Sequence, residues 1–170
     1  MMPGLELEIK PADFVTIGTV GPKGRRVFYL QAGRDAEIVS LIIEKEQSWA
    51  LSEAIKELID DLENKLDDDM STDHIKTPNM DLREPIEPMF RVSQMGLGYE
   101  EDQDQIVLVA QELVPQNPQA DDLIDANKPS VVRIWCSREQ MRALSNHAMK
   151  KVRSGRADPK QNGRLVYYWT

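Results

Sequence analysis

The first half of the chain alternates runs of β-branched and aromatic residues with turn residues, and then changes to a helical period. Three strands are predicted, with the sequences FVTIGTV (14–20), RRVFYLQA (25–32) and EIVSLIIE (37–44). The next segment, SWALSEAIKELIDDLENKL, has apolar residues at three- and four-residue steps, namely Leu51, Ile55, Leu58, Leu62 and Leu66. This spacing predicts an amphipathic helix that covers a sheet face.

The second half repeats this order of elements without obvious residue identity. Strands are predicted at MFRVSQMGLGY, QIVLVAQELV and SVVRIWC, with the turn EEDQD between the first two. A helix is then predicted to open at Ser137, because Gln140 three residues later completes a capping box. Its apolar stripe is Met141, Leu144, Ala148 and Val152, and Gly155 is a suitable C-terminal stop.

These patterns predict an α+β fold with antiparallel sheets in two βββα halves and with the helices packed on the sheet faces. We expect residues 1–170 to form a single domain. Its N-terminal half would cover about 12–66, a flexible acidic linker 67–88, the C-terminal half 89–156, and a tail 157–170. The predicted core is Phe14, Phe28, Leu30, Leu51, Ile55, Leu58, Leu62, Val92, Ile106, Leu108, Ile134, Met141 and Leu144.

Composition indicates where in the cell the protein is expected, and the charges are distributed unevenly along the chain. No apolar run is long enough to cross a bilayer, the first residues lack the pattern of a secretory signal, and the expected location is the cytoplasm. The net charge is −8, but from Arg138 onward eight Lys or Arg stand against two acids, a net of +6. The rest of the chain has a net charge of −14. This basic end either complements an acidic surface or binds an anion.

Three glycines at three-residue spacing, Gly18, Gly21 and Gly24, raise the question of a phosphate-binding loop. A P-loop or dinucleotide loop leads into a helix, whereas here a strand follows, so we interpret GPKG as a hairpin turn. Gly21 and Gly24 would supply the positive φ of a tight turn. The candidate ligand-binding residues are those at the tip and on the following strand, namely Lys23, Arg25, Arg26, Tyr29 and Gln31.

Other catalytic or metal-binding chemistry is sparse. The two histidines, His74 and His147, have no ligand spacing, and the acidic runs lack the frame of a calcium loop. A lone cysteine, Cys136, at the end of a predicted strand is expected to be buried and inert. We therefore predict no metal site and no cofactor, and the sequence assigns no catalytic residue.

Four stretches of the chain carry a family resemblance. They are DFVTIGTVGPKGRRVFYLQA, EKEQSWAL, EPMFRVSQMGLGYEEDQDQIVLVAQEL and RIWCSREQMRALSNHAMKKVRSGR. From Asp13 to Arg156 the chain resembles the bacterial domain-of-unknown-function family number thirty-ninety, which implies no activity. Family members commonly end in a cysteine-rich tail, whereas this chain continues ADPKQNGRLVYYWT, without Cys or His. Their genes often lie near those of phosphatase-like and lipid-kinase-like proteins, which hints at phosphate metabolism.

Three functions stay open at this point. The first is a non-enzymatic binding or interaction module for a protein partner or an anionic ligand. The second is a single-stranded nucleic-acid-binding protein built from strand-strand-strand-helix repeats, with Phe28 and Tyr29 as stacking rings. Against it stands an acidic pI of about 4.8. The third is an enzyme of phosphate metabolism without a recognisable motif. The sequence does not decide the oligomeric state.

Overall fold

The structure is a computed structural model that describes residues 4–22, 24–66, 79–114 and 128–154. The strands in these ranges are β1 (Glu6–Ile9), β2 (Phe14–Val20), β3 (Val27–Arg34), β4 (Glu37–Ile43), β5 (Pro88–Glu100), β6 (Gln105–Glu112) and β7 (Val131–Cys136). The helices are α1 (Lys45–Leu66), between β4 and β5, and α2 (Arg138–Ser154), after β7. The fold is therefore α+β, as predicted.

The seven strands form one sheet in the order β1-β7-β6-β5-β4-β3-β2. The β2–β3, β3–β4, β5–β6 and β6–β7 pairs are antiparallel, whereas β4–β5 and β1–β7 are parallel. The predicted antiparallel sheets in two βββα halves are therefore wrong in detail, because the sheet is mixed and continuous. The cause is α1, which carries the chain back along the sheet so that β5 starts beside β4 and runs in the same direction.

Strand β5 joins the two parts of the sheet. Its first residues pair with β4, where Arg91 lies opposite Ile42, and from Val92 onward it pairs with β6. The short strand β1, which precedes the predicted N-terminal half, pairs with β7 from Glu6 to Ile9. Its four residues, ELEI, are too few and too acidic to stand out as a strand in the sequence.

The hydrophobic core lies between the two helices and one face of the sheet. Of the thirteen predicted core residues, all are buried except Leu58, which is half-buried against the core. Ile59 is buried instead, at 1% exposure, because the face of α1 turned toward the core follows the 3.6-residue period through Ile55, Ile59 and Leu62.

Both helices begin with a glutamine that reaches back over the first turn. At α2 the predicted capping box is confirmed, since Gln140 N donates to Ser137 Oγ at 3.0 Å and Ser137 N donates to Gln140 Oε1 at 2.8 Å. At α1, Glu44 N donates to Gln47 Oε1 at 2.7 Å. The side-chain amide of each glutamine also donates to the backbone of another element. Gln47 Nε2 donates to Val92 O, and Gln140 Nε2 donates to Ala12 O.

The other face of the β2–β3–β4 part of the sheet is covered by residues 79–87, which we call the strap. Thr16 Oγ1 donates to Met80 O at 2.6 Å, and the side chain of Leu82 packs against Gly18. Gln31, fully buried, accepts a hydrogen bond from Arg83 N at 2.7 Å and donates to Arg83 O at 2.8 Å. This part of the predicted linker therefore buries polar and apolar groups of the sheet, while residues 67–78 lie outside the described residues.

Candidate anion-binding cleft

The β2–β3 hairpin carries the basic tip that the sequence predicted. Gly21 and Gly24 have φ of 111° and 89°, which confirms that the turn uses glycines in the left-handed region. Arg25 N donates to Pro22 O at 2.9 Å and closes the turn. The side chain of Arg25 is exposed and that of Arg26 is half-buried, whereas Lys23 lies outside the described residues.

A cleft of about 430 Å³ opens beside this tip, where β3 begins, β4 ends and α1 starts. Three cations from separate parts of the chain line it, namely Arg26 directly before β3, Lys45 at the start of α1 and Arg91 on β5. Two acids line it as well, and one of them, Glu44, forms an ion pair with Arg91. The rest of the lining is Gly24, Val27, Phe28, Ile42, Ile43 and the second acid, Glu46.

The end of α2 meets the hairpin tip. Arg26 Nη1 donates to Ser154 Oγ at 3.4 Å, and Ser154 Oγ in turn donates to Lys151 O at 3.1 Å. Because Lys151 and Arg153 occupy the last turn of α2, this contact brings the basic end of the helix beside the basic tip. Two basic segments that are about 130 residues apart in the chain are thus neighbours, and their combined field favours anions.

Of the five predicted ligand-binding residues, two lie at the hairpin tip, two lie further along β3, and Lys23 is outside the described residues. Arg25 and Arg26 lie at the tip, and Arg26 also lines the cleft. Tyr29 is half-buried on β3, opposite Gly18 and Ile42, and Gln31 is fully buried under the strap. Neither Tyr29 nor Gln31 lines the cleft.

Sequence reasoning missed two of the cleft's cations, Lys45 and Arg91. Arg91 is an exposed residue between the buried Phe90 and Val92, and this alternation predicts that it lies on the sheet surface. The alternation does not predict that its neighbour there is Ile42. That position depends on the parallel β4–β5 pairing, for which the sequence has no local signal. Only Glu44 separates Lys45, the first residue of α1, from the end of β4, and this position at a helix N-terminus could have indicated it.

Two titratable groups away from the cleft have pKa values shifted by burial. The thiol of Cys136 is fully buried, and this burial raises its pKa to about 12. Burial also lowers the pKa of His147, with help from the charges of Lys151 and Lys150, while Asp81 and the Ile17 carbonyl act in the opposite direction. The Nε2 atom of His147 is buried and makes no hydrogen bond.

A third cluster joins the β5–β6 turn to the start of α2. Tyr99 Oη donates to Asp104 Oδ1 at 2.8 Å, and Arg138 Nη2 donates to Asp104 Oδ2 at 3.0 Å. Burial by itself would raise the pKa of Asp104, but the hydrogen bonds from Arg138 and Tyr99 and the charge of Arg138 hold it below its ordinary value. These contacts fix the turn against the helix.

Neither a metal site nor a membrane-spanning helix is found in the part of the chain that the structure describes. No three His, Cys, Asp or Glu side chains among these residues come together as ligands for an ion. Neither helix in the described ranges has the length and hydropathy needed to cross a bilayer.

The fold and the cleft together define an α+β protein with a mixed sheet, two helices on one face and a cleft of mixed charge at the start of α1. Residues 7–162 match the family described as "Protein of unknown function (DUF3090)". Since this match spans most of the chain, the protein belongs to that family, in agreement with the resemblance of its sequence. Comparisons with curated proteins and with solved structures found no significant match.

Proposed function

We propose that this protein is a non-enzymatic binding module that takes an anionic group of its ligand in the cleft between the hairpin tip, α1 and β5. The observation that carries this proposal is the position of Arg26, which lines the cleft and donates a long hydrogen bond, of 3.4 Å, to Ser154 Oγ. A guanidinium with a hydrogen-bonded orientation loses less conformational freedom on binding a carboxylate or phosphate than a free side chain does.

The remaining cations support the same site. Arg91 and Lys45 line the cleft from other elements, so an anion would be held from more than one side. Arg91 is paired with Glu44, and both side chains are about half exposed, at 49% and 55%. An exposed pair of this kind contributes at most about 1 kcal/mol, so a ligand anion can replace Glu44 or share the guanidinium with it.

The nucleic-acid alternative has less support in this geometry. Phe28, one of the two rings considered for base stacking, is 6% exposed and packs in the core. Tyr29 is half-buried and does not line the cleft. The phosphate-metabolism alternative would need a group that activates water or a nucleophile. The described lining of the cleft offers Glu44, Glu46 and Lys45 for this, and it contains no histidine, cysteine, serine or threonine.

Titration of small anions tests the proposal. Pyrophosphate, citrate and single-stranded oligothymidylate would be titrated by calorimetry at low and high salt into wild type, Arg25→Ala/Arg26→Ala and Arg91→Ala. The control is Arg133→Ala, which removes a half-buried cation on β7 that pairs with Glu6. We expect saturable, salt-sensitive binding that weakens about tenfold or more in the tip and Arg91 variants and stays unchanged in the control.

Equal binding by all four proteins, or no binding by wild type, would reject the cleft as an anion site. Tight binding of the oligonucleotide alone would favour the nucleic-acid alternative. Release of orthophosphate from phosphate esters by wild type, lost in Arg26→Ala, would show an enzyme instead of a binding module.

A further inference from the structure

Exposed apolar side chains are grouped around the cleft. Of the six large hydrophobic residues that are exposed in the described ranges, Val27 (38%) lines the cleft, and three others pair with, or lie close in the chain to, residues that line it, namely Val20 (45%), Trp49 (37%) and Met89 (41%). Single exposed apolar residues are ordinary on a protein surface, but a group beside a cleft is typical of an interaction site.

Each of the four is placed by its element. Val27 lines the cleft, and Val20 is its cross-strand partner in the β2–β3 hairpin. Trp49 lies one helical turn after Lys45, so the two side chains are neighbours on the surface of α1. Met89 and Arg91 are exposed on either side of the buried Phe90, which puts them on the same face of β5.

The two glutamates of the cleft favour some classes of anionic ligand over others, because they repel negative charge. Glu44 and Glu46 line it beside the three cations, so a ligand that carries only phosphates would meet repulsion as well as attraction. A peptide has carboxylates for the arginines and backbone N–H donors for the glutamates. Its apolar side chains can also cover Val27 and Ile42, which a nucleic-acid backbone leaves exposed to water.

We propose that the cleft docks a segment of a partner protein that contains acidic and apolar side chains, with a carboxylate on Arg26 and Arg91 and an apolar side chain against Val27 and Ile42. This inference rests on the proposed function, because it assigns the ligand class of the same cleft. The charge complementarity is local, since the protein as a whole has a net charge of −8 and would repel an acidic partner elsewhere on its surface.

Selection from a random peptide library tests the ligand class. A phage-displayed library of dodecapeptides would be panned on the immobilised full chain and, in parallel, on Arg26→Gln/Val27→Ser. We expect the wild-type selection to enrich peptides in which Asp or Glu lies within a few residues of Leu, Ile, Phe or Trp. The variant selection should enrich no such pattern.

The enriched peptides would then be synthesised and their affinities measured by fluorescence polarisation. We expect Arg26→Gln and Arg91→Gln each to weaken binding about tenfold, and Val27→Ser by several-fold. Two matched controls are used. Arg133→Gln removes a half-buried cation on β7, and Leu5→Ser removes an exposed apolar residue directly before β1. These two variants should bind as wild type does, and circular dichroism would confirm that every variant is folded.

The failure of this inference can be told apart from the failure of the proposed function. If no peptide is enriched but pyrophosphate binding still depends on Arg26 and Arg91, the peptide assignment is overturned and the anion site stands. If enriched peptides bind every variant equally, the peptide assignment is overturned, and if pyrophosphate binding is also the same in every variant, the proposed function is overturned with it. Binding of phosphatidylcholine–phosphatidylserine vesicles that depends on Arg26 and Val27, without peptide enrichment, would overturn the peptide assignment in favour of a membrane surface.

Discussion

Ser52 on α1 and Ser145 on α2 exchange hydrogen bonds across the buried contact between the two helices. Ser52 Oγ donates to Ser145 O at 2.7 Å, and Ser145 Oγ donates to Ser52 O at 2.8 Å. Both residues are nearly inaccessible, at 3% and 5% exposure. Small side chains at this point allow the helices to approach closely, and each hydroxyl satisfies its hydrogen-bonding capacity without water.

This contact predicts the effect of two kinds of substitution. Ser52→Ala or Ser145→Ala removes one donor but no backbone acceptor, so we expect each to lower the free energy of unfolding by about 1 kcal/mol. Ser145→Leu should cost more, about 1–3 kcal/mol, because the added volume forces the helices apart. Urea unfolding followed by circular dichroism measures these differences, and a leucine variant as stable as wild type would contradict the close contact.

Gly18 on β2 and Gly96 on β5 form a matched pair for testing the strap, because only Gly18 lies under it. A Cβ at Gly18 would lie 2.5 Å from Cγ of Leu82, whereas a Cβ at Gly96 would meet no atom within 4 Å. Gly18→Ala should displace Leu82 and lower the free energy of unfolding by about 1–3 kcal/mol. Gly96→Ala should raise it by about 0.4–1 kcal/mol, because alanine reduces the freedom of the unfolded chain.

Thermal unfolding of the two glycine variants gives the comparison directly. Proteolysis of Gly18→Ala should also cleave the strap faster than it does in wild type, since the residues around Leu82 would be released from the sheet. Equal losses of stability in both variants would contradict the close packing of Leu82 of the strap against Gly18.

His147 predicts a pH dependence of stability. Its pKa in the folded protein is lower than the ordinary value of 6.5, first because of burial and then because of Lys151 and Lys150. Below pH 6.5 the unfolded chain therefore takes up a proton that the folded protein does not, and stability falls as the pH drops from 6.5 through the folded pKa. The slope stays below the one-proton limit of about 1.4 kcal/mol per pH unit.

The variant His147→Gln separates this effect from the titration of carboxylates. We expect the loss of unfolding free energy between neutral pH and about pH 5 to be smaller in the variant than in wild type. The interaction with Asp81 opposes the two lysines, so Asp81→Asn should enlarge the loss. A wild-type profile that coincides with that of His147→Gln would exclude His147 as the source.

The buried thiol of Cys136 can report on unfolding, because we expect it to react with a thiol reagent only when the protein unfolds. Its thiol is fully buried and has a pKa of about 12, so both access and thiolate population are low at neutral pH. A thiol-specific disulfide reagent should leave the native protein unlabelled and label one thiol per chain in denaturant, since the chain has a single cysteine. Rapid labelling of the native protein would show that β7 opens at its end.

One part of the candidate site could be predicted from local sequence, and the other part depends on contacts between residues distant in the chain. The basic hairpin tip could be predicted because glycines, proline and cations there determine the turn within a few residues. The cleft could not, because it needs Arg91 beside Ile42 and Ser154 beside Arg26, which are 49 and 128 positions apart. A hydrophobic pattern indicates that Arg91 is exposed, but it does not indicate which strand lies next to it.

The sequence by itself determined the elements whose signals are local. Three such features follow from neighbouring residues alone. They are the alternation of buried residues in β6 and β7, the capping box of Ser137 and Gln140, and the positive φ of Gly21 and Gly24. Only the tertiary structure decided the parallel β4–β5 and β1–β7 pairs and the packing of the strap on the sheet. The physical reason is that backbone pairing is nearly independent of side-chain identity, so partners distant in sequence are selected by how all the apolar faces are buried together.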